Sequence, residues 1–124
     1  VAFVHSDAWV LVAAVYARKP ADRPALVAAG DYVNNAVLTT GELEGGLRRL
    51  TAAGYLREEA GGFVLGPAGA AVETAIATGG RGIGRAWDVR RAMTLAEAEL
   101  GVTERVSQWG SNTACGSPPQ TSRR

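Results

Sequence analysis

Few of the residues that could do chemistry are spaced for it. His5-Ser6-Asp7 holds the residue types of a hydrolytic triad. Three consecutive residues cannot converge on one nucleophile, however, and His5 is the only histidine available as a base. One His and one Cys, Cys115, do not make a zinc ligand set. Glu42, Glu44, Glu58 and Glu59 fall on different predicted elements, where helix-start and strand-surface charges explain them better than an acid–base pair does. The run GGRGIGR at residues 79–85 does not match G-x-G-x-x-G, follows no strand and has no Walker lysine, so it reads as a joint and not a nucleotide loop. The expectation is a non-enzymatic chain without cofactor or metal.

Arginine is the remaining candidate for function. Arg48 and Arg49 lie off the apolar stripe Leu43, Leu47, Leu50 of a predicted helix, so both are expected on its outer side with Gly45. Thr40 sits at the N-terminus of that helix, where phosphate contacts are common, and Arg57 falls on the strand that follows. Arg18, Lys19 and Arg23 form a second basic group, and Arg81, Arg85, Arg90 and Arg91 a third, against Asp88. Opposing charge is close at hand. Glu42 and Glu44 make the helix formally neutral, and Glu58 and Glu59 make the segment after it net acidic. Thirteen basic and twelve acidic residues give the chain a net charge of +1, which neither demands nor excludes nucleic acid.

The stretch Thr39–Gly66 would position those arginines, and the chain reads as organised around it. Thr39 and Glu42 have capping-box spacing, and Gly54 falls where a left-handed residue ends a helix. Tyr55–Glu58 and Phe63–Leu65 then flank Glu59–Gly62, a connection suited to a hairpin. Before this stretch, Ser6 is the expected N-cap of a helix running to about Arg18 that is apolar on most sides and therefore central. Asp7 would favour the dipole of that helix. Asp22 and Pro24 open a second helix with Leu26, Ala29, Val33 and Val37 inward, and with Asp31, Asn34 and Asn35 on one solvated face. Gly46 is the expected crossing point against the first or second helix. After the hairpin, Pro67 opens a fourth helix, and a fifth runs from about Arg85 to Leu100. A break near Met93-Thr94 is suggested by the Thr94/Glu97 spacing. The fold class is mainly α with one small β-hairpin.

T-x-x-E-L at Thr39–Leu43, L-R-R-L-x-x-x-G-Y-L at Leu47–Leu56 and F-V-L-G-P-A-G at Phe63–Gly69 resemble the winged helix-turn-helix superfamily of bacterial transcription regulators. The likeness runs from about Ser6 to Ala70. It implies a dimeric regulator bound to double-stranded DNA, with Thr40, Arg48 and Arg49 on recognition-helix positions and Arg57 on the wing. Asp31, Asn34, Ala36 and Thr39 also give a D-x-x-N-x-A-x-x-T pattern similar to that of small bacterial winged-helix proteins, and the Ala, Gly, Val and Arg richness fits a high-GC bacterial source. Winged helices serve as protein–protein interaction modules too, and the acidic wing favours that alternative.

The domain reading is a winged helix over residues 1–78, a glycine-rich joint at 79–84, a C-terminal helical segment at 85–106 and a polar, disordered tail at 107–124. The C-terminal helices either pack on the domain or carry a homodimer. A single cysteine fits a reducing cytoplasm. The uncharged run Ala8–Ala17 is shorter than the roughly 20 residues needed to span a bilayer, and no basic segment precedes it as in a signal peptide.

Overall fold

A computed structural model describes residues 2–78 and 85–102. The expected joint and tail lie outside the described residues. The elements are α1 (His5–Tyr16), α2 (Arg23–Asn34), α3 (Thr40–Ala52), β1 (Leu56–Glu59), β2 (Gly62–Leu65), α4 (Pro67–Thr78) and α5 (Arg85–Leu100). The chain is mainly helical with one antiparallel hairpin, as its periodicity predicts.

The centre of the packing is α1, as its all-round apolar pattern predicts. Its residues Asp7 to Ala14 are all buried, because α2, α3 and α5 each lie against it. The helix starts earlier than expected, with Val4 and not Ser6 at the N-cap, and the Asp7 carboxylate accepts the Val4 N–H at 3.0 Å. It also ends earlier, at Tyr16, where Ala17 turns extended. Lys19 Nζ then donates to the Val15 and Ala17 carbonyls at 2.7 and 3.0 Å, a cation placed on orphan acceptors at a helix C-terminus.

Asp22 caps α2 by accepting the Ala25 N–H, with proline in the first turn as predicted. Asn35 adopts a left-handed conformation (φ 54°) and stops the helix. Val37 therefore falls outside α2 and is 69% exposed, which removes it from the inward stripe. Leu38 takes the buried place instead. Trp9 of α1 fastens the α1–α2 contact by donating its indole N–H to the Gly30 carbonyl at 2.9 Å.

The reciprocal Thr39/Glu42 cap opens α3 as the spacing predicts. Leu43, Leu47 and Leu50 are buried, each burial worth roughly 1.5–3 kcal/mol. Gly54, at φ 87°, ends the helix, and the Tyr55 N–H reaches back to the Leu50 carbonyl. The hairpin turn is tighter than expected. Glu59 pairs with Gly62, leaving a two-residue loop of Ala60 and Gly61, both at positive φ, which suits the twist of the strands. On its other edge, β2 forms a single-residue antiparallel bridge from Phe63 to Ala21, which ties the α1–α2 link to the hairpin.

Val89, Ala92, Met93, Ala96 and Leu100 of α5 join the same apolar core as α1. The helix runs unbroken through Met93-Thr94. Thr94 Oγ1 donates back to the Arg90 carbonyl, and Glu97 is turned to a partner on α1, so neither residue caps a new helix. With its apolar stripe directed inward, the exposed positions of α5 include Arg90, Thr94, Ala98 and Glu99 among the described residues.

Candidate functional site

The surface nominated by the sequence is the outer side of α3 with the hairpin. Thr40, Gly41, Arg48, Thr51 and Ala52 are exposed on α3, and Arg57 is exposed on β1. Thr40 and Arg48 thus occupy the outward positions expected of them. Arg57 is already paired with Glu59, two residues along the same strand, at 3.0 Å.

Arg49 is turned the other way. Its Nε and Nη2 donate to the two carboxylate oxygens of Asp7 at 2.8 and 2.9 Å, a bidentate pair between α3 and α1. Asp7 is fully buried, and the Arg49 side chain is 26% exposed. Two glycines create the space. A Cβ on Gly45 would stand 2.9 Å from Arg49 Nη2, so Gly45 is a seat for the guanidinium and not an opening on the outer face. A Cβ on Gly46 would stand 2.8 Å from Val10 Cγ2, which makes Gly46 the crossing point between α3 and α1. The glycines that weaken α3 as an isolated helix let it lie on α1 with a charge pair between them.

The remaining charges on this face are matched across elements. Glu44 does not offset the α3 arginines alone. It reaches α2, where Arg23 Nε and Nη2 donate to it at 2.5 and 3.0 Å. The Arg23 hydrogen bond holds the Glu44 carboxyl below its ordinary range against the opposing effect of desolvation, with further help from the charges of Arg23 and Arg48. Arg23 also lies over the Phe63 ring, 5.5 Å from its centroid, which ties α2 to the hairpin. Glu42 is occupied in the α3 cap. Across α3, the wing and Arg23, the carboxylates Glu42, Glu44, Glu58 and Glu59 face the cations Arg23, Arg48 and Arg57. Among these residues the carboxylates outnumber the cations by one.

His5 is not a free surface histidine. Its Nδ1 lies 2.5 Å from Glu97 Oε2, and Glu97 is buried, so the pair joins the start of α1 to α5. Tyr55 OH donates to Glu99 at 3.3 Å, and burial followed by the Glu99 charge raises its phenol pKa above the ordinary value. Asp31, Asn34 and Asn35 are exposed, as a solvated face predicts. Among the described residues, no group of three or more His, Cys, Asp and Glu side chains could hold a metal ion.

The aromatic pair Tyr16 and Tyr32 was not singled out by the sequence. The rings are 38% and 43% exposed on α1 and α2, with centroids 5.7 Å apart, and they line an open hollow of about 280 Å³ with Ala29. Tyr16 closes an apolar run and Tyr32 stands among polar residues, so neither pattern announces a shared surface. Among the described residues, no helix is long and apolar enough to cross a membrane. No protein-family model matches the chain, and neither a curated protein nor a solved structure matches it.

Proposed function

We propose that this chain is a winged-helix protein–protein interaction module, non-enzymatic and cytoplasmic. The element order supports the winged-helix part of the reading: α1, a single-residue bridge at Ala21, α2, α3, then the β1–β2 wing. One observation carries the choice of partner class. Arg49, one of the three arginines offered for DNA, is committed to the buried Asp7, and the outward Arg48 has Glu44 one turn before it. A DNA-reading helix needs cations in excess at its outer face, since phosphate neutralisation supplies most of the non-specific affinity.

A DNA-binding regulator is the second reading, favoured by the exposure of Thr40, Gly41 and Arg48 at the outer side of α3. Titration of the chain with random-sequence duplex DNA over a salt series separates the two. The interaction-module reading expects no measurable binding even at low salt. Binding that falls steeply with salt and is weakened by Arg48→Ala would overturn it and establish the DNA reading.

A further inference from the structure

No further inference is drawn: the strongest candidate, the open hollow between α1 and α2 lined by Tyr16, Ala29 and Tyr32, is an unpartnered apolar surface, and nothing in the structure shows what covers it.

Discussion

Replacing Arg49 with alanine separates a structural arginine from a DNA-contacting one. In the folded chain Asp7 is fully buried and accepts three hydrogen bonds, one from the Val4 N–H and two from Arg49. Arg49→Ala removes two of them and leaves a carboxylate in the core without its counter-charge. Breaking a buried pair in this way costs about 3–5 kcal/mol. The lower end applies here, because a quarter of the Arg49 side chain is exposed and water can enter where the guanidinium was. A loss of about 3 kcal/mol is a large part of the roughly 5–15 kcal/mol that holds a domain folded. With a urea m-value of about 1 kcal/mol/M for a small domain, the unfolding midpoint should fall by about 3 M, or the variant should be unfolded at the outset. Arg48→Ala is the internal control, and its stability should stay within about 0.5 kcal/mol of the parent. Arg49→Lys should fall between them, because lysine keeps the charge but lacks the fork that engages both carboxylate oxygens. The double change Asp7→Ala with Arg49→Ala should cost less than the two single changes added together. If Arg49→Ala unfolds at the same urea concentration as Arg48→Ala, the inward pair is wrong and Arg49 faces solvent.

Gly46→Ala sets a helix-propensity gain of about 1 kcal/mol against overpacking of about 1–3 kcal/mol, because its Cβ would stand 2.8 Å from Val10 Cγ2 inside the α1–α3 crossing. Net destabilisation is expected in urea unfolding, and a stabilised variant would show that the helices do not cross there. Glu44 should titrate below the ordinary carboxylate range, followed by carbon-detected NMR, and Arg23→Gln should return it upward. Its contribution to stability is therefore present above the unfolded carboxylate pKa and lost as pH falls through the depressed folded value; an unchanged Glu44 titration in Arg23→Gln would exclude the α2–α3 pair. Tyr55 should ionise above the ordinary phenol value in an ultraviolet titration, and Glu99→Gln should bring it partway down, since burial is the larger cause. A full return to the ordinary value would mean that Tyr55 is not buried.

Local patterns carried much of the fold. The Thr39/Glu42 cap, the Leu43–Leu47–Leu50 stripe and the Gly54 stop depend on residues within a few positions of one another, so α3 was legible almost to the residue. Asp22 and Pro24 were equally clear at the start of α2. Patterns that compete for the same side chain were not. Thr94 and Glu97 have the spacing of a cap, but in the middle of α5 the Thr94 hydroxyl bonds back to its own helix and the Glu97 carboxylate goes to His5, 92 positions away. Glu44 likewise reads as a neighbour of Arg48, while its hydrogen-bonded partner stands on α2. Spacing within one helix cannot show that a second helix offers a better-placed donor.

Arg49 shows where a stronger reading was open. Off the leucine stripe, it looks like a surface residue of α3 when that helix is considered alone. The contrary signal sits in α1. A helix apolar on most sides must be buried on most sides, and Asp7, one turn before Val10, then falls inside the packing. A buried carboxylate requires a cation with hydrogen-bonding geometry to match, and Arg48 and Arg49 stand just after the paired glycines Gly45 and Gly46 on α3. Gly45 lies one helical turn before Arg49, and removing its side chain leaves room for a guanidinium to fold back along the helix. Burial of α1 demands the cation, and the glycine at i−4 selects Arg49 over Arg48. The same choice reduces the outward charge of α3 to one arginine, so the requirement that fixes how α3 packs on α1 also weakens its claim to a DNA groove.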